Sequence, residues 1–239
     1  MKQIIQFIFI ALVLLPTFSC NKSDDNRIPG GNDGIMMCDM VTFVGNPLSN
    51  NNNSVFQFQK ENDSRLTTLR ATDIALDTSV VKVNTRMLLF YTPETGMHNI
   101  DDNVSVTGIK NVFNDSIRTG KTSLMPPLEH NPIFVNAIWR SGTYLNIHCG
   151  LTYVYEPYSF VLMVDQNTID NELPDVYLSY KASNDHGSRF QEFYASIDVA
   201  NLWNRPTCKG FTLHVNDSNF GKNEIEFKKL TITPMPPMQ

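Results

Sequence analysis

Residues 143–151 read TYLNIHCGL, and this stretch decides the fold. Apolar side chains recur there at every second position, at Leu145, Ile147, Cys149 and Leu151. This is the period of a β-strand with one buried face. A cysteine in that row is expected to act as a small hydrophobic residue inside a core. His148 is expected to point to the opposite face of the strand.

Short runs of the same kind continue to the C-terminus, separated by turn residues. They predict strands at residues 133–140, 143–150, 158–165, 175–181, 193–199, 210–216 and 224–233. Strands at such spacing are typical of an antiparallel β-sandwich, which we place at residues 132–234. Residues 197–203 are expected to turn from a strand into a short helical segment. Residues 235–239 are interpreted as a tail, because the prolines around them cannot continue a central strand.

The region before the sandwich is also rich in strand signals. Runs of β-branched and aromatic residues predict strands at 40–44, 55–58, 66–69, 85–91 and 103–112. Phe56 and Phe58 alternate with glutamines, which indicates a strand with one solvent-exposed face. Together these runs predict a small OB-like β-barrel at residues 36–118. Residues 74–80 are expected to hold a short helix. Residues 119–131, with two adjacent prolines, are expected to form a linker.

The N-terminus, residues 1–19, has the pattern of an export signal. Lys2 precedes the apolar run FIFIALVLL at residues 7–15. A membrane-spanning helix needs roughly 20 apolar residues, so this shorter run predicts a cleaved signal peptide. The small residue followed by Cys20 resembles the end of the bacterial lipobox. In that motif the signal peptide is cut off just before the cysteine, and the cysteine is acylated, for example with palmitate. The alternative is ordinary secretory cleavage beside an unmodified cysteine.

Residues 20–35 are rich in Gly, Asn and Asp and are expected to form a lipidated flexible tether. Within them Lys22, Ser23, Asp24 and Asp25 resemble the surface-export signal of Bacteroidetes lipoproteins. A plain solvated leader fits the same residues. Each buried CH₂ of an acyl chain contributes about 0.8 kcal/mol, so two or three chains hold a protein stably at a membrane. We therefore expect a lipid-anchored outer-membrane protein, exposed at the cell surface if the export signal is used.

A family resemblance is carried by residues in both domains. The stretches are VNTRMLLFY at 83–91, VTGIKNV at 106–112, and the segments 131–140 and 143–147. With them the mature chain resembles the NigD-like lipoproteins of Bacteroidetes. The resemblance implies an N-terminal OB-type domain, a C-terminal β-sandwich domain and no established enzymatic activity. It also implies an accessory or immunity role, because the family is associated with a bacteriocin locus.

Charge and missing motifs narrow the function further. Twenty-four acidic residues against nineteen basic ones give a net charge of -5, which disfavours nucleic acid as a partner. The sequence contains no nucleophile elbow, metalloprotease motif, phosphate loop or dinucleotide fingerprint. We expect no enzymatic activity, no catalytic residues and no cofactor. The expected role is binding of an envelope protein, a glycan or a toxin. The alternative is a carbohydrate-active or other hydrolytic enzyme with unidentified carboxylates.

Two sets of residues suggest metal sites. Asp165, Asp170, Glu172 and Asp175 fall in one loop, where a hard cation such as calcium would find carboxylates. Because the spacing does not fit an EF-hand, a solvated loop is favoured and no metal is expected. His148 and His214 both face away from the predicted core and would meet if they lay on one sheet. Without a third ligand, two exposed histidines are favoured.

Two smaller features remain. Ser116, in the tripeptide Asp115-Ser116-Ile117, resembles the acceptor of a short O-glycosylation signal used by some Bacteroidetes, although a plain turn fits equally well. Cys38, Cys149 and Cys208 allow one disulfide at most in an oxidising compartment, because their number is odd.

Overall fold

The computed structural model describes residues 35–47, 53–59, 65–94, 101–121, 131–153, 159–182 and 189–229. Strands dominate these ranges, and they form a closed barrel followed by two further sheets. The predicted all-β class, a small barrel followed by a sandwich, is confirmed. In the described ranges, no helix has the length and apolar character needed to cross a membrane. The predicted signal peptide, tether residues 20–34 and the tail at 235–239 lie outside these ranges.

The barrel has five strands: β1 Met37–Gly45, β2 Ser54–Gln59, β3 Leu66–Ala71, β4 Arg86–Pro93 and β5 Asp101–Asn111. They close in the order β1-β2-β3-β5-β4, with β4 paired to β1. β3 and β5 run parallel, and the other pairs are antiparallel. Phe56 and Phe58 point into the barrel with Phe43, Leu69 and Tyr91. The alternating aromatic residues therefore form its core.

The helix expected at residues 74–80 is absent, and this prediction is wrong. Residues 74–77 are irregular and residues 78–80 form a turn instead. The Asp77 carboxylate accepts a hydrogen bond from the Ser79 N–H at 2.8 Å, and its carbonyl accepts one from Val80 at 3.0 Å. Asp and Ser side chains compete with helical hydrogen bonds in this way, and β-branched neighbours add to the penalty.

The sandwich is built from two sheets and one short helix. Its elements are β6 Phe113–Ser116, β7 Arg118–Gly120, β8 Phe134–Ser141, β9 Tyr144–Tyr153, β10 Ser159–Asp165, β11 Asp175–Lys181, β12 Arg189–Asp198, α1 Ala200–Trp203, β13 Gly210–His214 and β14 Glu224–Lys228. One sheet has the order β14-β13-β11-β10-β7 and the other β6-β12-β9-β8. Leu145, Ile147, Cys149 and Leu151 are fully buried between them, as the alternation predicts.

The sandwich begins at Phe113, earlier than residue 132. β6 pairs in parallel with β12, and β7 pairs in parallel with β10, so residues 113–120 join the edges of both sheets. Ile117 between them is buried, and its N–H donates to the Asp198 carbonyl at 2.8 Å. The sheets are therefore mixed rather than purely antiparallel, with β11 and β13 also parallel. Parallel pairing depends on a distant crossover, which local periodicity does not show.

A tight turn between β8 and β9 fixes one contact between sandwich and barrel. Gly142 lies in this turn with φ +61, a backbone region that favours glycine. A Cβ atom there would fall 2.1 Å from Oε1 of Gln59 in the barrel. The neighbouring Ser141 hydroxyl donates to the Gln59 carbonyl at 2.5 Å. The turn thus needs glycine for its conformation, and a larger residue would also displace the end of the Gln59 side chain.

Candidate functional site

The barrel rests on the outer face of the four-stranded sheet, the face turned away from the sandwich core. Barrel residues Met40 and Leu88 are buried in a small cluster with Val112. Phe90 of the barrel and Trp139 and Tyr194 of the sheet pack against this cluster. The outer face is therefore partly covered by apolar contacts, and a cleft remains beside them.

Arg86 of β4 is buried in this contact, with 3% of its surface exposed. Its Nε donates to the Ser196 hydroxyl at 2.9 Å, and a terminal nitrogen donates to the Asn146 side-chain oxygen at 3.1 Å. The guanidinium carbon also lies 4.3 Å from the centre of the Tyr144 ring. Burial lowers the pKa of Arg86 to about 10. Because these partners are neutral, Arg86 joins the domains without an ion pair to a carboxylate from the described part of the chain.

A cleft between the barrel and the four-stranded sheet has a volume of about 330 Å³. Cys38, Asp39 and Gln59 of the barrel line one wall, and Trp139, His148 and Tyr194 of the sheet line the other. Such a mixture of aromatic surface with a few polar groups, set between two domains, is typical of ligand sites. The arrangement is suited to hold a small ring or side chain by stacking and hydrogen bonds.

Cys38 is exposed at this cleft. Desolvation, followed by the negative charges of Asp39 and Glu192, raises the pKa of its thiol to about 11. Reactive cysteines have depressed pKa values because the thiolate is the nucleophile. The neutral thiol of Cys38 is therefore poorly suited to nucleophilic catalysis. Asp39 itself accepts a hydrogen bond from the Tyr91 hydroxyl at 2.8 Å.

Glu192 of β12 is the centre of a polar cluster at the cleft. It lies 2.8 Å from Nε2 of His148, accepts a hydrogen bond from the Tyr194 hydroxyl at 2.9 Å and pairs with Lys110 at 3.3 Å. The His148 and Tyr194 rings stack with centres 4.3 Å apart. Burial opposes ionisation of Glu192, but these hydrogen bonds and the Lys110 charge outweigh it and lower its pKa.

His148 and His214 do not meet, because they belong to different sheets. His214 lies 2.8 Å from the Asp175 carboxylate and stacks on Tyr177 with ring centres 4.6 Å apart. These groups border a second cleft of about 250 Å³, which Glu224 also lines. The two histidines are therefore separate, but each is partly buried rather than exposed, with 27% of the His148 and 24% of the His214 side chain exposed, and each has its own carboxylate and tyrosine.

The acidic loop does not gather its carboxylates around one point. Asp170 pairs with Arg205, and Glu172 pairs with Lys209. Asp165 accepts a hydrogen bond from the Asn167 N–H within its own turn at 2.9 Å. Across the described ranges, three or more potential ligands do not come together in any metal-binding group. The calcium hypothesis therefore lacks a site in the described loop.

The remaining sequence candidates are dispersed. Cys20, Lys22, Ser23, Asp24 and Asp25 lie outside the described residues. Ser116 is exposed at the end of β6, where its N–H donates to the Asp115 carboxylate at 2.8 Å. Arg118 pairs with the same carboxylate at 3.0 Å. The residues of the glycosylation signal thus form an accessible turn, and modification of Ser116 remains a prediction.

Two of the three described cysteines are buried, and all three are free thiols. Burial raises the pKa of Cys149 to about 12. Cys208 is also buried, and its thiol donates to the Gly210 carbonyl at 3.1 Å. The disulfide left open by the sequence is not formed here.

Most of the cleft was not predictable from single strands. The strand pattern places His148 on an outer face, but it assigns no role to Glu192, Tyr194 or Lys110. Tyr194 and Glu192 occupy outward positions of β12, opposite the buried Phe193 and Ala195. That alternation is visible in the sequence and would have suggested a polar and aromatic outer face. The contribution of the barrel was not visible, because it depends on how two domains pack.

The comparisons with known proteins agree with this architecture. Residues 120–229 match the family described as NigD-like C-terminal beta sandwich domain. No curated protein matches the chain in sequence. Among solved structures, a protein of unknown function, DUF1344, from Bacteroides vulgatus ATCC 8482 has a TM-score of 0.66 and 16% identity, with 83% of this chain and 92% of that chain covered.

Two further solved structures are similar over most of their length. A candidate lipoprotein from Bacteroides fragilis NCTC 9343 has a TM-score of 0.54 and 8% identity, covering 83% of this chain and 100% of that chain. A NigD-like immunity protein from Bacteroides caccae ATCC 43185 has a TM-score of 0.50 and 16% identity, covering 80% and 91%. At these identities the likeness concerns the fold. The expected resemblance is confirmed for residues 120–229, which match the NigD-like C-terminal β-sandwich domain.

Proposed function

We propose that this protein is a lipid-anchored envelope protein that binds a partner, without catalysing a reaction, in the cleft between its barrel and its sandwich. The observation that carries the proposal is the cleft itself, about 330 Å³ with aromatic and polar walls. Buried Arg86 and the apolar cluster around Leu88 fix the two walls relative to each other. A preformed cleft of this kind lowers the entropic cost of binding.

The chemistry of the cleft favours binding over hydrolysis. A carboxyl that acts as a general acid needs a raised pKa, and the pKa of Glu192 is lowered by its hydrogen bonds. The Cys38 thiol, with a pKa of about 11, is a poor nucleophile near neutral pH. Both groups are better suited to hold a ligand than to transform one.

The envelope location rests on Cys20. The preceding run at residues 7–15 is too short to span a bilayer and has the form of a signal peptide. The fold likeness to a candidate lipoprotein of Bacteroides fragilis is consistent with an anchored protein. Acyl chains on Cys20 then hold the two domains at the outer membrane. Lys22, Ser23, Asp24 and Asp25 direct them to the cell surface.

The partner is an envelope protein, a glycan or a toxin, and the net charge of -5 disfavours nucleic acid. The fold likeness to a NigD-like immunity protein keeps a toxin among these partners. Site-specific photo-crosslinking in intact cells tests the cleft. A benzophenone side chain at Ala137, which is exposed and lines the cleft, is expected to give a discrete adduct.

The matched control places the same photoreactive side chain at Arg70, which is exposed on the barrel strand β3. An adduct at Ala137 and none at Arg70 supports the proposal, whereas equal adducts at both positions overturn it. For the anchor, Cys20→Ala is expected to abolish incorporation of a fatty-acid probe, and Cys38→Ala to preserve it. Incorporation that survives Cys20→Ala would disprove the anchor. Full protection from protease added to intact cells would disprove surface display.

A further inference from the structure

Two exposed phenylalanines lie on the outer face of the four-stranded sheet, the face that also carries the cleft residues His148 and Tyr194. Phe190 is 63% exposed and Phe134 is 38% exposed. Their rings pack edge to face, with centres 5.8 Å apart and an interplanar angle of 82°. Large apolar side chains that remain exposed as a group commonly mark interaction sites. We call this pair the aromatic platform.

Gly150 creates the space for the platform. Phe134 of β8 and Gly150 of β9 are direct partners in the sheet. A Cβ atom on Gly150 would fall 2.0 Å from the ring tip of Phe190, which reaches across β9 from β12. The Phe190 ring therefore occupies the place of the missing side chain and meets Phe134. Three strands must be in register to build this surface.

Polar groups border the platform on the side of the barrel. Glu192 is the sheet partner of Gly150, and its side chain is 53% exposed. Lys110 of the barrel pairs with Glu192 at 3.3 Å and lies 4.4 Å from the Tyr194 ring centre. His148 contacts the same carboxylate. The Glu192 carboxylate, the Lys110 ammonium group and the His148 imidazole thus lie next to an apolar ring surface. The charges of Lys110 and Glu192 balance each other in their ion pair.

We propose that the aromatic platform and the Glu192 cluster bind a neutral saccharide. This inference rests on the proposed binding function and names its ligand class. A pyranose ring has an apolar face of C–H groups and a rim of hydroxyls. The C–H face matches the electron-rich face of Phe190, and the hydroxyls match Glu192, His148 and Lys110. Because Lys110 is already paired with Glu192, the charge that remains at the cleft is that of Asp39, which opposes an anionic ligand.

The dimensions also favour a saccharide over a folded protein. A standard protein interface covers about 800 Å² on each partner. Two phenyl rings provide a much smaller surface. A chain of two or three sugar rings extends from the platform into the cleft of about 330 Å³, where Trp139 and Tyr194 supply further aromatic contacts.

A panel of immobilised neutral, sialylated and sulfated oligosaccharides tests the inference with the purified full chain in detergent. We expect binding to neutral members only. Phe190→Ala is expected to weaken binding by about tenfold or more, because it removes the stacking surface. Gly150→Ala displaces the Phe190 ring and is expected to act in the same direction. Thermal unfolding of each variant shows whether the fold is retained.

Tyr177→Ala is the control, since Tyr177 is a surface aromatic residue on the other sheet, where it stacks on His214. It is expected to leave binding unchanged. Neutral glycan binding that survives Phe190→Ala, or preference for sulfated glycans, overturns the inference. Failure to bind any neutral glycan also overturns it. If a crosslinked protein still forms at Ala137, that failure leaves the proposed binding function standing.

Discussion

Arg86 of the barrel donates a hydrogen bond to the hydroxyl of Ser196 in the sandwich, 2.9 Å away, in a contact that water scarcely reaches. Ser196 in turn donates to Asn146 at 2.8 Å, and Asn146 accepts from Arg86 at 3.1 Å. The three side chains form a closed ring of contacts across the domain boundary. The alignment of the two cleft walls therefore depends in part on one buried cation.

Replacing Arg86 with alanine is expected to lower the free energy of unfolding by about 2–4 kcal/mol, because hydrogen bonds to a charged group are lost in a buried contact. Arg86→Met is expected to cost less, because it keeps the aliphatic stem and buries no charge. Urea unfolding measures the free energy of unfolding of both variants. Arg70→Ala, on the exposed surface of β3, is the control and is expected to change stability by no more than about 0.5 kcal/mol. A similar small effect at Arg86 would contradict the role assigned to it.

Cys149 makes the stability of the protein depend on alkaline pH. Burial raises its pKa from 9.0 to about 12. Below pH 9 the thiol is neutral in both the folded and the unfolded state, so its full contribution to the free energy of unfolding is present. Between pH 9 and 12 the unfolded thiol ionises first, so stability falls as pH rises, by at most about 1.4 kcal/mol per pH unit for one group. Under reducing conditions, Cys149→Ala is expected to show a shallower decline than the parent chain. Parallel declines would refute the assignment.

The sequence was sufficient to predict the strands of each domain, because the burial of their side chains follows the local alternation of apolar and polar residues. Leu145, Ile147 and Cys149 are buried in the order that the pattern predicts. The pattern was not sufficient at residues 113–120, where each edge strand pairs with a partner more than forty positions away. Such pairing is decided by the packing of two sheets. Alternation within a short segment carries no information about it.

The same limit applies to the candidate site. His148 was placed correctly on an outer face, since its neighbours in the strand are apolar. Its partner Glu192 lies on another strand, and Lys110 comes from another domain. The proximity of Gly150 and Phe190 is also a product of strand register. Sequence periodicity assigns a side chain to a face, whereas a binding site depends on which faces come together.

Ser116 offers a direct test of the glycosylation signal. It is exposed, and its turn is held by Asp115, which pairs with Arg118. We expect the peptide containing Ser116 from the native protein to carry a sugar mass, and Ser116→Ala to lose it. Arg118→Ala, which disturbs the turn but keeps the acceptor, is expected to retain the modification. An unmodified peptide from the native source would show that Ser116 is only a turn residue.

Cys38 reports on the electrostatics of the cleft through its rate of alkylation. It is the exposed thiol among the three described cysteines, so in the folded chain iodoacetamide is expected to modify Cys38 and to spare Cys149 and Cys208. The rate is expected to be slow at pH 8 and to rise toward pH 11, because desolvation and then Asp39 and Glu192 raise the thiol pKa to about 11.

Glu192→Gln removes one of these negative charges and is expected to speed alkylation of Cys38 about two- to tenfold at pH 8, since a lower pKa gives more thiolate. Glu172→Gln is the matched control, because Glu172 is an exposed acid paired with Lys209 in the acidic loop. It is expected to leave the rate unchanged. Peptide mapping by mass spectrometry identifies the modified cysteine. Equal rates in the parent and the Glu192→Gln variant would mean that Glu192 does not act on the thiol, and the polar cluster and the cleft wall would then be electrostatically separate.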